Sequence, residues 1–355
     1  MKKIERVHGL MEELGIDALL IEKSENRYYL SGFTGTAGRI LFTEKKDYFL
    51  TDFRYTEQAA EETEGFEILQ INSAFEERLN ELLQENRVKR MGFEAAFISY
   101  EQYLKYRDNL EAELVETRNL IERMRMVKDQ AEIEKIRKAV EITDQAFEHI
   151  LGFIRPGISE REIALELEFF LKKKGAERNA FDFIIASGKR SSLPHGVATE
   201  KKIEYGDLLT MDFGIFYQGY CSDLTRTVVV GEATARQREI YNIVLKAQLE
   251  VIEKVRAGMG CREADAIARD IIAEAGFREN FGHGLGHGIG LEIHEGPRVS
   301  FTSEDILEKG MVVTNEPGIY LPEWGGVRIE DDLLITDTAC EVLNKAEKTL
   351  IEISI

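Results

Sequence analysis

Four of the six histidines, His195, His283, His287 and His294, lie in glycine- or proline-marked segments of the second half of the chain. Two acids, Asp212 and Asp223, sit on either side of Tyr217-Gln-Gly-Tyr220, a hairpin-turn sequence. If that turn is centred between Tyr217 and Gln218, the two carboxylates stand directly opposite, with β-carbons about 4.5–5.5 Å apart. Glu316 and Glu330 show the same symmetry about Glu323, within the turn-rich Leu321-Pro-Glu-Trp-Gly-Gly326. Like charges so placed repel unless a cation lies between them. A one-residue slip would turn one carboxylate to the other face, so the reading depends on register. Either pair alone reads as a solvated face. Two such pairs with a histidine segment between them read as a site.

That segment is Gly282-His-Gly-Leu-Gly-His-Gly-Ile-Gly290. In an extended chain His283, Leu285, His287 and Ile289 share one face, and the glycine face admits close approach of other backbone. The zincin HExxH is absent, and no βαβ unit frames a dinucleotide fingerprint. Four carboxylates and one imidazole form a hard ligand set that suits manganese, cobalt or another divalent ion rather than a cysteine-bound zinc. Four negative charges match two divalent cations, which makes their burial tolerable. Two ions about 3.5–4 Å apart can hold a bridging hydroxide and clamp a hydrolytic transition state. The residues therefore point to a binuclear metal hydrolase. His8 and His149 fall in helical patterns and read as surface histidines.

The first third alternates strands with helices, the pattern of an α/β layer domain. Strands are expected at 17–21, 39–43, 47–51, 66–71, 90–94 and 113–117. Helices are expected over 53–63, 74–86 and from Tyr100. From 127 to 154 apolar residues keep one long helical spacing. Ser159-Glu-Arg-Glu162 is a capping box that opens a second helix, stopped at Lys172-Lys-Lys-Gly175. Helices over 234–257 and 262–275 bracket strands at 181–187, 208–217, 220–230, 311–320 and 327–336. The change of pattern places a domain boundary near 125, giving domains 1–125 and 126–355. Lys plus Arg is 46 against 65 Asp plus Glu, a formal charge of −19 that argues against a nucleic-acid footprint. No run of 18 apolar residues suggests a membrane span. Three distant cysteines, with no signal-peptide pattern at the N-terminus, fit a reducing cytoplasm.

Pro194-His195-Gly, Met211-Asp212-Phe-Gly, Ser222-Asp223-Leu-Thr-Arg, His283-Gly-Leu-Gly-His287, Glu316-Pro-Gly and Arg328-Ile-Glu330-Asp together resemble the pita-bread metallopeptidases. The nearest branch is that of the Xaa-Pro peptidases, prolidase and aminopeptidase P. The resemblance covers 127–355. More weakly, Gly32-Phe-Thr-Gly-Thr-Ala-Gly38 and Thr51-Asp-Phe-Arg-Tyr55 resemble the creatinase-type N-terminal domain. It implies an α/β N-terminal domain followed by an α+β pita-bread catalytic domain. It implies Asp212, Asp223, His287, Glu316 and Glu330 as ligands to two divalent ions, manganese or cobalt, with Asp223 and Glu330 bridging. His195, His283 and His294 then orient substrate and stabilise the tetrahedral intermediate, and Glu316 also carries the proton to the leaving proline nitrogen. Arg298, with Arg328 as a second candidate, would bind the free carboxylate of a Xaa-Pro dipeptide. The expectation is a cytoplasmic, homodimeric Xaa-Pro dipeptidase. Its alternatives are an aminopeptidase acting on longer peptides and, in another class, a non-catalytic peptide-binding module.

Overall fold

In the computed structural model, which describes residues 2–72 and 75–354, the chain divides into two units, Met1–Arg125 and Met126–Ile355. The first is built on a six-stranded sheet in the order Glu67–Gln70, Tyr48–Thr51, Arg39–Thr43, Ala18–Ile21, Arg90–Glu94 and Glu113–Thr117. Ala18–Ile21 runs parallel to Arg90–Glu94 and antiparallel to Arg39–Thr43. The expected helix over 74–86 is observed as Phe75–Glu85, and residue 74 lies outside the described residues. Helix Ser24–Ser31 was not expected, because SENRYYLS has no apolar stripe. It buries Asn26 and Arg27 beside Tyr29 and Leu30: Arg27 donates to the Gly35 and Gly38 carbonyls at 2.8 and 2.7 Å, and Asn26 to Glu94 at 2.6 Å. Polar tertiary contacts, together with the buried Tyr29 and Leu30, hold this helix in place.

In the second unit, helices Gln130–Leu151 and Glu160–Lys173 each begin with a capping box, Asp129/Glu132 and Ser159/Glu162. The expected start at 127 moves to 130 because Asp129 caps the helix and Val127 bridges to Met311. The apolar faces of both helices pack on the sheet of Ile184–Ser187, Leu208–Phe213 and Leu224–Val230. Phe147, Ile150 and Leu167 are fully buried there, each stabilising by about 1.5–3 kcal/mol. Helices Ala235–Lys254 and Cys261–Glu274 pack on the sheet that holds Val312–Asn315 and Asp331–Ile335. No helix among the described residues is long and apolar enough to cross a membrane.

Each of the four long strands expected around the acids is interrupted. They appear as Leu208–Phe213 and Ile215–Tyr217, Tyr220–Cys221 and Leu224–Val230, Val312–Asn315 and Gly318–Leu321, Gly325–Arg328 and Asp331–Ile335. The gaps fall at Gly214, Ser222-Asp223, Glu316-Pro317 and Ile329-Glu330. At two of the gaps a backbone amide leaves the hairpin ladder and joins the two ribbons instead. Asp223 N donates to Asp332 Oδ2 at 3.0 Å, and Glu330 N to Thr225 O at 3.1 Å.

The second ribbon keeps the expected register about Glu323, from Val312↔Leu334 through Leu321↔Gly325, which sets Glu316 across from Glu330. The first does not. Its two-residue turn is Gln218-Gly219, with φ of 47° and 77°, the left-handed pair that a tight hairpin needs. Asp212 therefore pairs with Thr225 rather than with Asp223. The shift is two residues, so the period-two alternation leaves both acids on the same face.

Candidate metal centre

Asp223, His287 and Glu330 each aim one ligand atom so that the three lie within 4.8 Å of one another. They arrive from three chain segments: the gap in the first ribbon, strand Gly286–Gly288, and the gap in the second ribbon. His287 Nε2 lies 3.8 Å from Asp223 Oδ2 and 3.5 Å from Glu316 Oε1. The glycines beside this histidine let other backbone approach. A Cβ at Gly286 would collide with Thr314 O, and one at Gly288 with Gly296 O. The regular strand is shorter than the glycine alternation suggests, because a bulge between His287 and Gly288 breaks the register.

The electrostatics disfavour four bare carboxylates at this centre. Burial pushes all four carboxyls up, Glu316 to about 8 and Asp223 and Glu330 well above the usual range, with the neighbouring carboxylates adding to the effect on both of the latter. Buried oxygens Asp212 Oδ1 and Asp223 Oδ1 have no hydrogen-bond partner, a costly state unless another group satisfies them. Burial, then the His294 charge, lowers His287 to about 3, so its ring is neutral. Its Nδ1 faces the Gly288 carbonyl at 3.2 Å. A carbonyl only accepts, so Nδ1 carries the proton and Nε2 turns a lone pair toward the acids. Unpartnered carboxylate oxygens, an imidazole lone pair and no thiolate fit hard or borderline divalent ions.

Arg328 has a different place from the substrate-facing one expected of it. It is 3% exposed, and its donors reach Asp212 Oδ2 at 2.5 Å, Thr225 Oγ1 at 3.0 Å, Tyr320 Oη at 2.9 Å and Pro194 O at 3.2 Å. It is a clamp on Asp212, with no donor turned to solvent. Arg298 is exposed, no described acid pairs with it, and its charge is felt by His287 and His294. His294 packs edge-on against His287, centroids 4.4 Å apart. His283 Nδ1 donates to Gly284 O at 2.8 Å, and burial lowers the ring to about 4. Its Nε2 thus accepts from Tyr320 at 2.9 Å. His195 is exposed, and its charge reaches Asp212, His283 and His294. His8 and His149 are half-exposed and pair with Asp47 and Glu166, far in sequence from this cluster.

Three groups at the centre carry no signal in the spacing of acids and histidines. Thr225 Oγ1 donates to Glu330 Oε2 at 2.6 Å, and a turn centred on Gln218-Gly219 would have paired it with Asp212. Thr314 Oγ1 accepts from His287 N at 3.1 Å and bonds Glu316 Oε1 at 3.3 Å. Tyr320 joins His283 to Arg328.

The model of metallopeptidase family M24 matches residues 134–337, and that of the creatinase/prolidase N-terminal domain matches 3–127. An Xaa-Pro dipeptidase of Pyrococcus horikoshii is 44% identical over 99% of both chains. Among solved structures, an Xaa-Pro dipeptidase from Bacillus anthracis is 50% identical, covers 99% of each chain and superposes with a TM-score of 0.97. An X-Pro aminopeptidase from Thermotoga maritima is 41% identical over 96% of this chain and 99% of that one, with a TM-score of 0.91.

Proposed function

Because this chain belongs to metallopeptidase family M24, with a creatinase-type N-terminal domain ahead of a pita-bread catalytic domain, we propose that it is an Xaa-Pro dipeptidase. The observation that carries this reading is the convergence of Asp223, His287 and Glu330, with unpartnered oxygens on Asp212 and Asp223. In this reading Asp212, Asp223, His287, Glu316 and Glu330 hold two divalent ions, manganese or cobalt. Such ions, when bound, supply Lewis acidity and a water of lowered pKa.

The chain's own residues do the rest. Glu316 takes a proton from water and passes it on. The proline nitrogen of a tertiary amide leaves only when protonated, so this transfer completes the cleavage. His195 and His294 line the acyl side and donate to the developing oxyanion, while His283, held by Gly284 O and Tyr320, orients the substrate side of the site. Arg298 binds the proline carboxylate through a charge-assisted pair. The free thiols Cys221, Cys261 and Cys340 support a reducing, cytoplasmic setting, and the family resemblance supports a homodimer.

The likeness to an X-Pro aminopeptidase favours one second reading, cleavage of longer peptides. Hydrolysis of a Xaa-Pro dipeptide and a Xaa-Pro-Yaa tripeptide by the manganese-loaded protein separates the two. Preference for the tripeptide rejects the dipeptidase, and no turnover of either rejects the enzyme.

A further inference from the structure

We infer that Glu160 is a positioning residue for His195, acting as a staple across the base of the loop that carries it. The inference rests on the substrate-binding role proposed for His195. Glu160 opens helix Glu160–Lys173 and is fully buried. Both of its carboxylate oxygens are spent on one segment, residues 187–199. Oε1 accepts from Ser187 N at 2.8 Å and Ser187 Oγ at 2.9 Å. Oε2 accepts from Thr199 N at 3.1 Å, Thr199 Oγ1 at 2.7 Å and Arg190 NH1. One carboxylate thus joins the first and last residues of the loop and a cation between them.

The loop needs such a device. Among the described residues the His195 side chain has no hydrogen-bond partner and is exposed, so only its backbone fixes where the imidazole stands. Beyond the base, the loop is tied to the second ribbon at three points, Lys189 Nζ to Glu323 Oε2 at 3.1 Å, Gly326 N to Ser191 Oγ at 2.8 Å and Arg328 NH1 to Pro194 O at 3.2 Å. Arg190 NH2 also reaches Val197 O at 2.9 Å. Glu160 therefore supplies the side-chain acceptor that joins the two ends of the loop, beside the backbone ties Arg161 N to Thr199 O and Ala198 N to Phe183 O. Glutamine keeps the volume but offers one acceptor. Its amide turns a donor toward donors at either Ser187 or Thr199, which opens one end of the staple.

The test is a double-mutant cycle on the manganese-loaded full chain, E160Q against H195A, with metal content measured for every variant. E160Q is expected to lower kcat/KM for a Xaa-Pro dipeptide at least tenfold, mainly through KM, with metal content unchanged. In the H195A background it is expected to cost less than twofold, which a general loss of structure would not produce. Thr199→Val, which removes one hydroxyl at the His195 end, should show the same pattern more weakly, and Thr199→Ser should restore activity. These two variants carry the test if E160Q does not fold. Losses that multiply in the double variant, or an E160Q protein within twofold of wild type, overturn the staple. A His195→Ala protein as active as wild type overturns the role of His195 itself, and the staple with it.

Discussion

Replacing Glu316 by Gln should stabilise the metal-free protein while abolishing turnover. Burial is the largest cause of the raised Glu316 pKa, and Asp212 adds to it while Arg328 and Thr314 oppose it. The folded-state pKa, about 8, lies above the usual 4.5. Between these values the unfolded chain has released its proton and the folded chain has not. Stability therefore falls as pH rises through that window and levels off above about 8. At about 1.4 kcal/mol per pH unit, the handicap at pH 7 is at most about 3.5 kcal/mol. Glutamine carries no proton to lose, so its gain should grow from near zero at pH 4.5 to that figure at pH 7. The one tryptophan, Trp324, sits in the turn between Glu316 and Glu330, so its fluorescence during urea unfolding of chelated protein reports on this ribbon. Added manganese should narrow this difference, since wild type gains about 2.7 kcal/mol at a hundredfold excess over Kd and the variant gains less. A chelated E316Q protein no more stable than wild type at pH 7, or a gain independent of pH, would refute the reasoning.

Arg298→Ala should raise KM for a Xaa-Pro dipeptide at least tenfold, the worth of a charge-assisted hydrogen bond of about 1.5–3 kcal/mol, with kcat little changed; steady-state kinetics decide. Thr225→Val keeps the shape but leaves Glu330 Oε2 and Arg328 Nε without their bridge. A loss of about 1–3 kcal/mol in chemical denaturation is expected, with weaker metal retention on dialysis. Gly219→Ala should cost about 1 kcal/mol, because φ is 77° there, while Gly282→Ala, where an added Cβ meets nothing within 4 Å, should be near neutral in thermal unfolding.

Much of the site is legible from residue type and symmetry. Equal spacing of Glu316 and Glu330 about Glu323 is enough to set them opposite, because that turn is centred where the arithmetic puts it. For Asp212 and Asp223 the arithmetic misplaces the centre by one residue. The information was local: Gln218-Gly219 is the dipeptide that tolerates two left-handed φ values, and giving it the turn recovers Thr225 as the partner of Asp212. What periodicity cannot reveal is the diversion of backbone at the acids. The strands read as continuous, yet they break at Ser222-Asp223 and Ile329-Glu330, because amides there bond across ribbons to Asp332 and Thr225. Arg328 illustrates the same limit. An arginine beside an acid looks available in sequence, and only the convergence of Asp212, Thr225, Tyr320 and Pro194 around it shows that its donors are spent. Helix Ser24–Ser31 escapes for the mirror reason, since half of its buried residues, Asn26 and Arg27, are polar.

Crystals of the manganese- or cobalt-loaded protein, measured at the metal absorption edge, test the binuclear centre most directly. Two anomalous peaks among Asp212, Asp223, His287, Glu316 and Glu330 are predicted, with His287 bound through Nε2. A loaded, active crystal with no peak there, or with its metal held by other residues, would contradict it.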